Sequence, residues 1–154
     1  MTWTDIDLQA ADRSLSDILA PLVRAYHEFE HVVMSDAERN AAIAPLLETE
    51  SSWGRVWLIR FRSRVVGYVA LCFGYSIEFR GRDAFIDELF IVPEARGQGI
   101  GGAVLALLKR EAASLGVVAL HLEVARDNER AKRLYGQGGF LARERYCLMS
   151  CQLI

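Results

Sequence analysis

The chain of 154 residues has little cysteine, only three in all: Cys72, Cys147 and Cys151. The number is odd, the three are widely spread, and none forms the short paired spacing of a zinc site. A disulfide framework of the kind found in small secreted domains is therefore excluded. We expect buried thiols in a reducing compartment.

Long hydrophobic runs are also missing. The longest, residues 65–73, is interrupted by Gly67 and Tyr68 and falls well short of the roughly 20 residues that a membrane span needs. The first seven residues include Asp5 and Asp7 and no basic segment leading into an apolar stretch, unlike a secretory signal. We therefore expect a cytoplasmic protein with no membrane partner.

Charge of either sign is not in large excess, since the formal net charge is −2. A small basic cluster, Arg60, Arg62 and Arg64, surrounds a predicted turn, so we expect a solvated hairpin tip there and no nucleic-acid partner. Repeats, linkers and low-complexity segments are absent from the sequence. With 52% hydrophobic residues, this length predicts a single domain over residues 1–154.

Apolar periodicity and turn residues predict the elements of the first half. A strand is expected at 2–10 and a helix at 15–29, where Pro21 should kink the helix or shift its start. Ser35 and Glu38 form a capping-box pattern that begins a helix over 36–47. Strands are predicted at 55–61, 65–75 and 84–92.

A helix over 99–115, closed by Gly116, follows the third of these strands. A strand at 118–125, a helix at 129–137 and a last strand at 146–153 complete the chain. Only the strand–helix–strand unit over 84–125 must be parallel. The predicted fold class is therefore α/β (α+β), with a mixed, mostly antiparallel central sheet flanked by helices.

A glycine-rich segment lies between the strand at 84–92 and the following helix. Free backbone N–H groups and the positive end of the helix dipole meet there, and glycine lets phosphates approach the backbone, so we predict a pyrophosphate site. The spacing Gly97-x-Gly99-x-x-Gly102 also fits a dinucleotide fingerprint, with Glu123 near the position of its ribose-binding acid. Against this alternative, residues 93–96 separate the strand from the first glycine, and only about 50 residues follow.

The same segment resembles the acetyl-CoA signature of the GNAT N-acetyltransferases, an apolar strand and proline followed by [Gln/Arg]-x-x-Gly-x-[Gly/Ala]. The residues that carry the match are Leu89, Phe90, Ile91, Val92, Pro93, Arg96, Gly97, Gln98, Gly99, Ile100, Gly101 and Gly102. The likeness continues through residues 122–124, Asn128, Tyr135 and residues 138–140, and is strong from about 87 to 140. It implies the acyl-CoA N-acyltransferase (GNAT) fold.

This resemblance implies a transferase that moves an acetyl group from acetyl-CoA, its co-substrate, to an amine. Residues 89–92 would offer backbone groups to the pantetheine arm, and the amides of residues 97–102 would hold the pyrophosphate. Asn128 would bond the pantetheine region, and Tyr135 would protonate the leaving thiolate. The expected partner is a small-molecule or peptide amine, and a homodimer is one state that the likeness allows.

The acceptor amine must lose a proton before it attacks. A lysine-like amine has a reference pKa of about 10.4, so reaching the neutral form costs roughly 4 to 5 kcal/mol at neutral pH. Candidate bases are Glu88 and Asp87, of which alternation along a strand would turn only one towards the cleft, and Glu123. We favour Glu88, followed by Glu123; solvated strand-edge carboxylates are the alternative. A backbone amide within residues 90–92 is the expected oxyanion donor.

The sequence His27-Glu28-Phe29-Glu30-His31 matches the H-E-x-x-H pattern of zinc proteases. The remaining histidine, His121, falls in a predicted strand, so we expect no metal and interpret His27 and His31 as a polar helix end or as acceptor-recognition residues. Two other functions remain as alternatives: a non-catalytic acyl-CoA or dinucleotide-binding module, and a small zinc hydrolase.

Overall fold

The computed structural model describes residues 5–154, and the chain divides into two compact units, Met1–Glu123 and Val124–Ile154. The predicted first strand began at residue 2, so its first residues lie outside the described part. None of the helices in residues 5–154 is long and apolar enough to cross a membrane.

The first unit is built on a five-stranded sheet with the strands in chain order. Its strands are β1 (Ile6–Ala10), β2 (Gly54–Phe61), β3 (Arg64–Ser76), β4 (Gly81–Ile91) and β5 (Ala119–His121). Strands β1 to β4 pair antiparallel, and β5 pairs parallel with β4. The mixed, mostly antiparallel sheet predicted from the sequence is confirmed.

The hairpin between β2 and β3 has a two-residue turn at Arg62 and Ser63, both with positive φ (48° and 65°). Two consecutive left-handed residues twist the chain as paired strands require. The predicted hairpin is therefore correct, with this turn replacing the three-residue connection expected. Glycine is also required where β3 pairs with β4. A Cβ on Gly67 would lie 2.0 Å from the backbone oxygen of Phe90, which is too close for any side chain.

Three helices flank the sheet: α1 (Ser16–Phe29), α2 (Asp36–Ile43) and α3 (Ile100–Ser114). Pro21 lies inside α1 without ending it. The predicted capping box of α2 is present, and a short 3-10 helix, Ala44–Leu47, replaces its predicted last turn. Gly116 follows α3 with φ of 77°, as the left-handed cap requires.

The helices cover opposite faces of the sheet. One core joins α1 to the inner strands through Leu19, Val23, Leu58, Tyr68 and Phe90. The other joins α3 to β1, β2 and β3 through Ile6, Ile59, Val66, Ile100 and Val104. Side chains of Leu or Val size each gain about 1.5–3 kcal/mol from full burial. The sheet is therefore held rigidly between two apolar layers, and β4 contributes side chains to both.

The second unit contains α4 (Glu129–Gln137), whose predicted bounds are correct. Asn128 caps it by accepting a 3.0 Å hydrogen bond from the N–H of Ala131. The predicted strand at 146–153 is wrong, since residues 141–154 have no helix or strand and are exposed. A strand needs a neighbour with which to share backbone hydrogen bonds, and the described residues of this unit contain no other strand. The expected burial of the thiols is wrong for the same segment, since Cys147 and Cys151 are exposed.

Candidate active site

Glu88 on β4 is held by hydrogen bonds to both of its carboxylate oxygens. Tyr68 on β3, only 1% exposed, donates its hydroxyl to Oε2 at 2.6 Å. His27 on α1 lies with Nε2 2.6 Å from Oε1. Burial and the negative charge of Glu88 raise the pKa of Tyr68 above its usual range. Tyr68 therefore remains a hydrogen-bond donor, and Glu88 is fixed in one orientation.

Arg39 on α2 determines which nitrogen of His27 carries the proton. Its Nε donates to His27 Nδ1 at 3.2 Å, and a guanidinium has no acceptor. Nδ1 must therefore be unprotonated, so Nε2 carries the hydrogen and donates it to Glu88. Arg39 is 5% exposed and also donates to Asp36 at 2.5 Å and to the backbone oxygen of Met34 at 2.8 Å.

Asp87 lies beside Glu88 at an irregularity of the sheet. Ala70 opposes Glu88 and Leu71 opposes Ile86, so Asp87 is an extra residue of β4 with no partner on β3. Such a β-bulge interrupts the alternation of side chains. As a result both Asp87 and Glu88 border one cavity, whereas strict alternation predicted only one of them.

The surroundings of Asp87 favour the protonated form of its carboxyl group. Partial burial raises its pKa, followed by the nearby negative charges of Glu88 and then Glu123, against a smaller opposite effect of His27. The influence of Glu123 shows that the residues after β5 approach this part of β4. The three carboxylates that the sequence offered as bases thus form one acidic group.

A cavity of about 240 Å³ adjoins these carboxylates, between α1, α2 and the sheet; we call it the acceptor cavity. Its deepest wall includes Leu19, Val23 and Val56, each at most 2% exposed. Glu88, whose side chain is 20% exposed, and the exposed Asp87 also border it. It is therefore an apolar pocket with two acidic residues in its lining.

One edge of β4 is open in its second half. Strand β5 pairs with Asp83, Ala84 and Phe85, and within residues 5–154 no strand pairs with residues 86–91 on that side. The N–H of Val92 donates to Val66 across β3 at 2.9 Å, and because backbone groups alternate, those of Ile91 and Leu89 face the open edge. Of the amides predicted as oxyanion donors, Phe90 and Val92 therefore point to β3, and Ile91 alone faces the opening.

The glycine-rich segment after β4 forms a turn that its sequence pattern favours. Gly97 and Gly99 have φ of 77° and 76°, and Gly99 is the N-cap of α3. No side chain of the described residues caps that helix end. The first helix bond is donated by Ala103 to Gly99, which leaves three amides of the first turn without intrahelical acceptors. These belong to Ile100, Gly101 and Gly102, so the turn presents N–H groups suited to an anion.

The side chain of Arg96 connects the glycine turn with β4 and α1. Its Nε donates to the backbone oxygen of Ile91 at 2.8 Å, and its guanidinium lies 5.4 Å from the ring centre of Phe29 and 5.6 Å from that of Phe90. Gln98 lies between the two left-handed glycines. The first unit thus brings together the predicted residues of β4 and of the glycine turn.

Asn128 and Tyr135 belong to the second unit. The side-chain oxygen of Asn128 already accepts the capping hydrogen bond of α4. Tyr135 is partly buried, with its ring 5.9 Å from that of Phe140. Their roles toward a coenzyme stay predictions from the sequence.

Sequence reasoning missed Tyr68 and Arg39. Tyr68 was visible only as an interruption of an apolar run, and no local pattern distinguished Arg39 from the surface arginines. It did single out His27, which matches a zinc motif but was interpreted as part of a polar helix end or as an acceptor-recognition residue. His27 faces Glu88 and Arg39, and His31 lies beyond the end of α1 with φ of 57°. Residues 5–154 contain no group of three or more side chains able to hold a metal ion.

Comparison with known proteins agrees with this geometry over most of the chain. The sequence model described as the acetyltransferase (GNAT) family matches residues 19–140. The uncharacterized N-acetyltransferase YhfO of Bacillus subtilis is 27% identical over 135 residues, which cover 88% of this chain and 89% of that protein.

Two solved structures illustrate the similarity of fold. An integron cassette protein, HFX_CASS3, from the mobile metagenome of Cole Harbour Salt Marsh aligns with a TM-score of 0.83 and 28% identity, covering 99% of this chain and 92% of that one. A predicted acetyltransferase from Clostridium acetobutylicum, solved with acetyl-CoA, aligns with a TM-score of 0.74 and 17% identity, covering 94% and 96%.

Proposed function

Because the chain belongs to the acetyltransferase (GNAT) family, an N-acetyltransferase family that uses acetyl-CoA, we propose that it acetylates a cationic primary amine by direct attack on the thioester. One observation carries this proposal: the open edge of β4 and two of the three acidic residues, Asp87 and Glu88, lie on the same stretch, residues 86–91. A donor bound along that edge is thereby placed next to carboxylates that attract an ammonium group.

The donor side is formed by the backbone. In this proposal the outward groups of Leu89 and Ile91 hold the pantetheine arm in the manner of an added strand, and the amides of residues 97–102 hold the pyrophosphate. The left-handed glycines and the uncapped start of α3 fit a diphosphate. Acetyl-CoA supplies a thioester carbonyl. The N–H of Ile91 faces the open edge, where it would donate a hydrogen bond to the carbonyl oxygen and polarise the thioester.

The acceptor side is formed by side chains. Asp87 and Glu88 attract the ammonium group, and one carboxylate removes its proton. Both oxygens of Glu88 already accept hydrogen bonds, whereas Asp87 is exposed and has a raised pKa, which brings a carboxylate closer to the pH range useful for a base. This contrast supports Asp87 as proton acceptor, with Glu88 as the fixed negative charge beside it.

Two further roles follow from the family pattern. Glu123 adds to the negative charge around Asp87 and is a second route for the proton. Tyr135 matches the position that donates a proton to the departing thiolate, which a phenol hydroxyl can supply. Replacement of Tyr135 by Phe tests that role, since a binding module without catalysis would be unaffected.

The test of the function is a pair of measurements on the purified protein. At 100 times its dissociation constant, a ligand of the native state adds about 2.7 kcal/mol of stability, or a rise in Tm of about 5 to 10 °C. We expect this rise with acetyl-CoA and none with NAD, and release of CoA when primary amines are added. A rise with NAD instead, or acetyl-CoA binding without CoA release from any amine, would contradict the proposal.

A further inference from the structure

Most of the residues that line the acceptor cavity are apolar. Helix α1, helix α2 and the sheet supply it through Leu19, Val23, Ile43, Leu46, Val56 and Ala70. The apolar lining reaches the surface at Val32, which is 42% exposed, and the adjacent Val33 is fully exposed. A ligand would therefore meet hydrocarbon at the entrance as well as at the depth of this cavity.

The polar side chains of the cavity wall bond to one another. Arg39 donates to three acceptors, and His27 and Tyr68 both contact Glu88. Among the described residues no buried side-chain nitrogen or oxygen lacks a partner. The wall consequently offers few hydrogen bonds to a hydroxylated ligand, and burying additional polar groups there would cost free energy.

Size limits the occupant further. A cavity of about 150 Å³ suffices for benzene, so the roughly 240 Å³ here accommodates one ring with a short chain. Within residues 5–154, the carboxylates in its lining are the adjacent Asp87 and Glu88. Because these two carboxylates are neighbours, one ammonium group can contact both, while a second one further along the ligand would be placed against hydrocarbon or near the Arg39 guanidinium.

We infer that the acceptor is a monoamine: one primary amino group joined by a short linker to a single compact apolar group, such as a phenyl ring or a branched alkyl group. This inference rests on the proposed function and names the substrate class of the same site. Polyamines and polyhydroxylated amino sugars are poor acceptors for the reasons of charge and polarity given above.

The experiment compares kcat/KM for CoA release with 2-phenylethylamine, spermidine and kanamycin A at saturating acetyl-CoA. We expect 2-phenylethylamine to exceed both others by at least tenfold. In the variant Ala42→Leu, which enlarges an exposed residue of the cavity lining, KM for 2-phenylethylamine should rise about tenfold, the scale of one displaced methylene, with KM for acetyl-CoA unchanged.

The matched control is Ala41→Leu, on the same helix but bordering a separate surface hollow beside Glu48 and Trp53; it should change neither KM. Higher kcat/KM with spermidine or kanamycin A, or an unchanged KM in Ala42→Leu, would overturn this inference and leave acetyl transfer intact. Absence of CoA release with all three amines despite a thermal shift with acetyl-CoA would count against the proposed function itself.

Discussion

The glycine turn before α3 and the acceptor cavity beside Glu88 are built in opposite ways. The turn presents the N–H groups of Ile100, Gly101 and Gly102, and its shape depends on left-handed φ at Gly97 and Gly99. The cavity depends on side chains from α1, α2, β3 and β4, joined by the hydrogen bonds of Glu88. A backbone site tolerates many side chains and few conformations, whereas the buried network tolerates few side chains.

The two regions should therefore fail differently when they are altered. Damage to the network should affect turnover and folding together, because its members are nearly inaccessible to solvent and bonded to one another. Damage to the turn should affect coenzyme affinity, with changes in stability that depend on each glycine's conformation. Three sets of variants test this difference.

The largest effect is expected from Asp87→Asn, which keeps the side chain's size and removes its ability to take a proton. Loss of a general base lowers kcat/KM by about 10²–10⁴. The raised pKa of Asp87 means that the folded protein binds this proton more tightly than the unfolded chain, so ionised Asp87 reduces stability as pH rises through its folded pKa. The variant should therefore have a higher Tm at pH 7, a gain that disappears towards pH about 4.

Glu88→Gln provides the contrasting case. It removes the charged acceptor of Tyr68 and His27, so it should lose both activity and thermal stability, while Asp7→Asn on the exposed side of β1 should change neither. For each of the three variants, CoA release measures activity and thermal melts measure stability. If Asp87→Asn retained full activity while Glu88→Gln lost it, Glu88 would be the base.

A smaller effect is expected from Arg39→Met. It leaves His27 Nδ1 without its donor inside the protein, and a buried polar group without a partner costs about 1–3 kcal/mol. The matched control is Arg24→Met, since Arg24 contacts the same Asp36 carboxylate from an exposed position, 52% accessible, where a pair contributes at most about 1 kcal/mol. Urea unfolding compares the free energies of unfolding of the two variants. Equal losses would show that the burial of Arg39 does not determine the effect of replacing it.

The smallest effects on stability are expected at two glycines of the turn, and the two effects should have opposite signs. Gly99 has φ of 76°, so Gly99→Ala should destabilise by about 1–2 kcal/mol. Gly102 lies in the first turn of α3 with open space where a Cβ would extend, so Gly102→Ala should stabilise by about 0.5–1 kcal/mol. Both should weaken acetyl-CoA binding in calorimetry, since each adds a methyl group where phosphate must approach. Unchanged affinity in both variants would place the diphosphate elsewhere.

The conformation of the glycine turn was predictable because the residues that determine it are contiguous. A strand, Pro93 and the spaced glycines lie within about 14 residues, and their conformations follow from local rules for left-handed residues and helix starts. Helix α4 was predicted to the residue for the same reason, since Asn128 and the glycines after Gln137 mark both ends.

The cavity beside Glu88 was only partly predictable because its contacts join distant parts of the chain. Arg39 and His27 are brought together by the packing of α2 on α1, and Glu88 is 61 residues from His27. The bulge at Asp87 is a property of two paired strands, so one strand's sequence could not show it. The strand predicted at 146–153 failed similarly: β propensity is present, but pairing depends on a neighbour.

The extra residue in β4 also affects how this strand can change in length. Because Ile86 opposes Leu71 and Glu88 opposes Ala70, deletion of Asp87 would leave both pairings in register and would remove the bulge without exchanging the faces of the residues beyond it. Phe90 would stay in the core shared with Leu19, and Leu89 and Ile91 would stay in the layer beneath α3. A single-codon deletion is therefore open to this strand at the bulge, with loss of the Asp87 carboxylate.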